Sequence, residues 1–182
     1  MGEWATIMDL SGLLPGLLED PTFARAARAE GPHGSVVTPD EAIPFLAAGM
    51  ARHRLVLAVT ATTRQAEDLA AAASSLIGPH RVAVLPAWET LPHERLSPSS
   101  DTVGRRLAVL RRLAHPDPAD ETIGALDLVV APIRALLQPI VTGLGEVLPV
   151  SVHPGDEVAH DELAETLVNL GYAPTDLVEK RG

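Results

Sequence analysis

The stretch Leu85-Pro86-Ala87-Trp88-Glu89-Thr90-Leu91-Pro92-His93-Glu94-Arg95-Leu96-Ser97-Pro98 decides how this chain is read. An aliphatic run, residues 82–85, leads into it and a helical pattern, residues 98–114, leads out, so it reads as strand, loop and helix in succession. Pro86, Pro92 and Pro98 lock their own φ and restrict the residue before each, which fixes the path of the loop. Trp88 reads as an anchor that buries its ring and holds the loop, and Glu89 as a local cap or pairing partner.

The same rhythm extends in both directions. Residues 35–37, 55–59, 82–85 and 127–130 are predicted strands, and residues 39–51, 63–77, 98–114 and 133–137 are predicted helices. That alternation specifies an α/β fold, a parallel sheet covered by helices. Thr38 with Glu41, and Thr62 with Gln65, fit the capping box, and Gly78-Pro79 supplies a helix stop. Within residues 98–114, Val103, Leu107, Leu110 and Ala114 recur at helical spacing and mark the side expected to be buried, with Arg105 and Arg112 opposite. Two short helices, residues 8–18 and 21–29, are expected to open the chain as a lid or a packing arm, interrupted at Asp20-Pro21 and Gly31-Pro32. Past Gly143-Leu144-Gly145 the pattern changes to a strand over 146–153, a turn at Pro154-Gly155-Asp156 and a helix over 161–170 striped by Leu163, Leu167 and Leu170. The expected organisation is a helical arm over residues 1–34, an α/β domain over 35–145, and the beginning of a second, smaller α+β domain over 146–182.

Bulk composition excludes more than it assigns. Hydrophobic residues make up 46% of the 182 and aromatics 3%, so the core must be built from Ala, Leu and Val. A net charge of -10 opposes a broad phosphate-binding face, and autonomous DNA binding is not expected. The chain has no cysteine, which excludes disulfides and thiolate metal sites. Glu3 and Asp9 stand where a secretory leader would be basic, and no apolar run is long enough to span a bilayer, so a cytoplasmic location without a membrane partner is expected.

The quoted loop also resembles the matching strand-loop-helix segment in the N-terminal module of the bacterial transcription-repair coupling factors, and more distantly that of the excision-repair protein UvrB. Leu55-Val56-Leu57-Ala58-Val59-Thr60, Asp127-Leu128-Val129-Val130-Ala131-Pro132 and Leu170-Gly171-Tyr172 fall in the family order, and the resemblance covers roughly Val36 to Gly182. It implies a helicase-like, RecA-like domain with a degenerate phosphate loop, followed by the start of a UvrA-binding domain. It implies that Trp88, Glu89, Leu91, Pro92, Ser97 and Pro98 form a signature that is structural. In such a family the full-length protein is an ATP-dependent DNA translocase that uses magnesium, displaces stalled RNA polymerase and recruits UvrA, while this module contacts downstream domains. The chain reads as a fragment that stops where the family continues into another strand.

A working phosphate loop needs glycines, a lysine and a Ser or Thr for magnesium. The corresponding run here is Gly34-Ser35-Val36-Val37-Thr38-Pro39-Asp40-Glu41, with no lysine, and Lys180 is the only lysine in the chain. Asp40 and Glu41 in the first helical turn would repel a phosphate. Gly34, Thr38, Asp40 and Glu41 therefore mark a degenerate position, and no cofactor is expected in this fragment. Asp127 precedes its strand instead of ending it, as a Walker B carboxylate would. His93-Glu94 lacks the second histidine of the zinc-protease pattern, and the seven histidines show no ligand spacing. Arg105, Arg106, Arg111 and Arg112 read as a solvated face or as partners of acids such as Asp101. The reading is a non-catalytic interaction module; the alternative is a small α/β nucleotide- or cofactor-binding enzyme domain, with its ligand at the carboxyl edge of the sheet.

Overall fold

The computed structural model describes residues 9–28, 31, 33–90, 98–146, 148, 150–152, 154–170 and 172–175. Its centre is a three-stranded parallel sheet of β1 (Val56–Thr60), β2 (Val82–Val84) and β3 (Leu128–Pro132), in the order β1-β3-β2. Val56 and Val82 both stand level with Leu128. The last strand in sequence is thus the middle one in space, and all five of its residues are buried. An unbroken Leu-Val-Val-Ala-Pro run suits that place, because a parallel strand covered on both faces has no polar side.

Alternation along β3 divides the core in two. Leu128 and Val130 point to one face, where they meet Ala66, Ala70 and Ala73 of α4 (Thr63–Ile77) and Ala47 and Ala51 of α3 (Ile43–Ala51). Val129 and Ala131 point to the other, where they meet Val109 of α5 (Ser100–Ala114) and Ala135 of α6 (Ile133–Leu137). Alanine dominates the first face, so its helices lie close to the strands with little interdigitation. The crossovers β1-α4-β2 and β2-α5-β3 put their helices on opposite faces, and the chain is α/β as its pattern specified.

Local chemistry sets the boundaries of α4. The Gln65 amide donates to Thr62 Oγ1 at 3.2 Å and the Thr62 amide donates to Gln65 Oε1 at 3.1 Å, completing a capping box. At the other end Gly78 takes φ +95°, a conformation that glycine alone adopts freely, and turns the chain toward β2. The opening helices are α1 (Leu13–Leu18) and α2 (Pro21–Arg28). Asp20 caps the second through the amides of Thr22 and Phe23. Leu14, Leu18 and Phe23 pack with Ala48 and Leu76, and Gly49 brings α3 so near that an added Cβ would lie 3.1 Å from the Phe23 ring. These helices are a packing arm against α3 and α4.

Three sequence expectations fail. Residues 35–37 form no strand: they have no sheet neighbour among the described residues, and Val37 is wholly exposed. Their β-branched composition is a local preference with no adjacent strand to satisfy it. The capping box at Thr38 and Glu41 is also not formed, because Pro39 is the cap of a 3-10 turn, Asp40–Ala42, and α3 begins only at Ile43. Finally, 146–153 is not a strand in its described residues. A 3-10 turn, Leu144–Glu146, lies against the end of α5 instead, with Gly145 so close that an added Cβ would lie 3.0 Å from the Leu110 carbonyl oxygen, and Glu146 pairs with His115. The last helix, α7 (His160–Asn169), forms as expected, yet none of its residues is buried.

Helix α5 shows a different buried side from the one its spacing marks. Thr102, Arg106 and Val109 are buried, whereas Val103, Leu107 and Leu110 are half-buried and Ala114 is exposed. Leu110 and Ala114 flank Gly145, so part of the apolar stripe faces the 144–146 turn. The face toward the loop after β2 includes an arginine.

Candidate functional site at the carboxyl edge of the sheet

The chain leaves β2 through Leu85 and Pro86, both buried, and enters the Trp88 loop at the carboxyl end of the strands. Four side chains from outside the loop hold it. Gln138, just past α6, accepts from the Trp88 amide at 2.7 Å through Oε1 and donates to the Trp88 carbonyl at 3.2 Å through Nε2. One amide side chain thereby satisfies both backbone groups of Trp88, as a neighbouring strand would. Arg106 donates from Nη1 to the Pro86 carbonyl at 2.5 Å, and its guanidinium carbon lies 4.3 Å from the centroid of the Trp88 ring. This is cation–π geometry inside the fold. Glu89 accepts from the Ser99 hydroxyl at 2.6 Å and from the Thr102 hydroxyl, and Ser99 caps α5 by accepting from the Thr102 amide at 3.3 Å.

Arg106 is 0% exposed, and its Nε and Nη2 have no hydrogen-bond partner among the described residues. Burial pushes its pKa down from the ordinary value. Trp88 is half-buried, a correction to the expectation of a largely buried ring. The ring covers the guanidinium and keeps part of its surface in solvent.

Glu89 is exposed, but the Ser99 hydroxyl, then the Thr102 hydroxyl, bring its pKa from 4.5 to about 2. A depressed carboxylate pKa stabilises the fold above the unfolded value and ceases to do so as the pH falls through the folded one. Acidification from about pH 4.5 toward about pH 2 is therefore expected to remove this contribution. Thermal melts across that window should show a steeper loss for the native chain than for Glu89→Gln, and parallel curves would contradict the assignment.

The other signature residues separate into two groups. Pro98 is half-buried just before α5, whereas Leu91, Pro92 and Ser97, with His93 and Glu94, lie outside the described residues. The degenerate phosphate-loop position sits elsewhere, ahead of α3. Gly34, Asp40 and Glu41 are exposed there and Thr38 is half-buried, and a Cβ added at Gly34 would meet nothing within 4 Å. The structure does not bring these residues to the Trp88 loop.

The basic residues bind backbone and acids of the fold. Arg81 makes a two-pronged pair with Asp127, at 2.6 and 2.7 Å, which fastens the start of β2 to the start of β3. Arg112 donates to the carbonyls of Gly124 and His80, and Arg134 reaches the Glu89 carbonyl at 3.5 Å. Arg105 is exposed and Arg111 half-buried. Among the described residues no group of three or more histidines and carboxylates is placed to hold a metal ion. Among them also, no helix is long and apolar enough to cross a membrane.

The sequence carries no signal for Gln138, and the solvated or acid-paired place expected for Arg106 is corrected: it is buried against the Pro86 carbonyl and the Trp88 ring. Gln138 lies 50 residues from Trp88, and nothing local distinguishes it from a surface glutamine. Arg106 left one trace, since it stands four residues after Thr102 and three before Val109, all on one helical face.

No family model matches the chain. Over 177 residues, 95% of its length, it is 44% identical to the transcription-repair-coupling factor of Mycobacterium tuberculosis, and equally to that of Mycobacterium bovis. It is 34% identical over 108 residues, 59% of its length, to the transcription-repair-coupling factor of Myxococcus xanthus. The chain spans 14% of the length of the mycobacterial proteins and 8% of that from Myxococcus.

Proposed function

We propose that this chain, which matches a fragment of the larger transcription-repair-coupling factors, acts as a non-catalytic interaction module of such a factor. The observation that carries the reading is the 44% identity across 95% of the chain. The geometry is compatible with it: the signature loop is held by Gln138, Arg106, Ser99 and Thr102, so its conspicuous residues serve the fold. In this reading residues 35–145 are a degenerate, RecA-like helicase domain without ATP chemistry, and residues 146–182 open a UvrA-binding domain. The longer protein would be a cytoplasmic, ATP- and magnesium-dependent DNA translocase that displaces stalled RNA polymerase and recruits UvrA.

The position of α7 sharpens one expectation. Leu163 and Leu167 are half-buried, and Leu170 and Tyr172 are exposed at 38% and 66%. A lone amphipathic helix cannot bury its stripe, which is consistent with a second domain of which only the opening is present. Pull-down of UvrA tests this: the 182-residue chain is expected to fail, and a longer polypeptide carrying the rest of that domain to succeed. Equal capture by both would place the UvrA surface within these residues and overturn the assignment.

A further inference from the structure

We propose that the outer edge of β1 is a docking groove for an extended peptide segment that carries apolar side chains and a basic one. This goes beyond the module assignment and rests on the sheet edge. β3 is the sheet neighbour of β1, and its other side has none among the described residues. The Val56 amide donates to the Asp127 carbonyl at 2.8 Å, so by alternation Ala58 and Thr60 also face β3, while Leu57 and Val59 turn their backbone groups to the open edge. The sequence Val-Leu-Ala-Val-Thr has none of the devices that blunt an edge, neither proline nor lysine.

Alongside that edge runs a groove of about 700 Å³. Its apolar lining includes Leu57 and Val59 of β1, Ile43, Leu46 and Met50 of α3, and Leu69 of α4. Its polar groups belong to segments at the carboxyl end of β1: Thr60 ends the strand, Asp40 lies just ahead of α3, and Gln65 and Asp68 lie in the first turns of α4. Among the described residues no lysine or arginine lines the groove. Arg64 reaches Asp68 at 3.8 Å, but both side chains are exposed and the pair is weak. With a net charge of -10 behind them, these carboxylates favour a cation on the occupant and disfavour an acidic segment. Open backbone groups, apolar hollows for alternate side chains and a carboxylate mouth together fit strand addition by a segment with a Lys or Arg near the carboxyl end of β1.

The probe is a fluorescein-labelled heptapeptide of alternating valine and threonine with a lysine at each end, titrated with the whole chain and read by anisotropy. Saturable binding on the order of 10–100 μM is expected, about tenfold weaker or worse when glutamate replaces lysine. Two versions N-methylated at alternate residues, in opposite phase, separate strand addition from greasy contact: one phase should lose binding and the other keep it. Asp40→Asn, at an exposed position, should reduce the preference for lysine without changing thermal unfolding. Equal affinity for the lysine and glutamate peptides, equal loss or retention for both methylated phases, or no binding at about 1 mM would overturn the proposal. So would self-association of the chain that excludes the peptide, since the occupant would then be a second copy.

Discussion

Arg106→Ala is expected to lower the unfolding free energy by about 3 kcal/mol, the largest effect of any substitution at the loop. Arg106 is the largest fully buried side chain, and its removal leaves a cavity, takes the donor from the Pro86 carbonyl and strips the underside of the Trp88 ring. At roughly 2–4 °C per kcal/mol for a chain of this size, the melting temperature should fall by about 6–12 °C. Arg106→Met should cost much less, about 1 kcal/mol, because it retains volume and removes a desolvated charge whose Nε and Nη2 have no partner among the described residues. Chemical denaturation of the three proteins checks this order. Equal losses for alanine and methionine would mean that the charge itself, and not the filling of space, holds the loop.

Trp88→Ala is expected to cost about 2 kcal/mol, below the 3–5 kcal/mol typical of a fully buried aromatic, because its ring is half in solvent. The loop backbone should keep its place, since Gln138 holds the Trp88 amide and carbonyl without using the ring. The two losses should not add: Arg106 and the Trp88 ring are in contact, so the double variant should be more stable than the sum predicts. Additive losses from a denaturation cycle would show that the stacking is energetically idle.

The central elements were legible because several local signals agreed. For α4, the Thr62 and Gln65 cap and the Gly78-Pro79 stop pointed to the same boundaries, Thr63–Ile77. For β3, the aliphatic run marked a strand over 127–130, and the structure buries it on both faces. Residues 35–37 and 146–153 were misread because β-branched composition indicates a preference for extended backbone, whereas a strand also needs an adjacent edge. Val37 has none, and the residues around Gly145 pack on α5 instead. The loop site was half legible: the bulk of Trp88 and local pairing by Glu89 followed from residue type, and Ser99 and Thr102 supply that pairing. Its clamp was not, because Gln138 and Arg106 are polar side chains made structural by distant contacts.

This segment is proposed to carry structure and contacts without nucleotide chemistry. Isothermal titration of the chain with magnesium-ATP tests it most directly. The turn before α3 presents Asp40 and Glu41 to solvent, and its cap, Pro39, makes no side-chain hydrogen bond, so an approaching triphosphate meets two carboxylates. No saturable heat is expected up to about 1 mM nucleotide. Saturable micromolar binding, lost on altering Thr38, Asp40 and Glu41, would contradict the account and restore the phosphate loop as a working site.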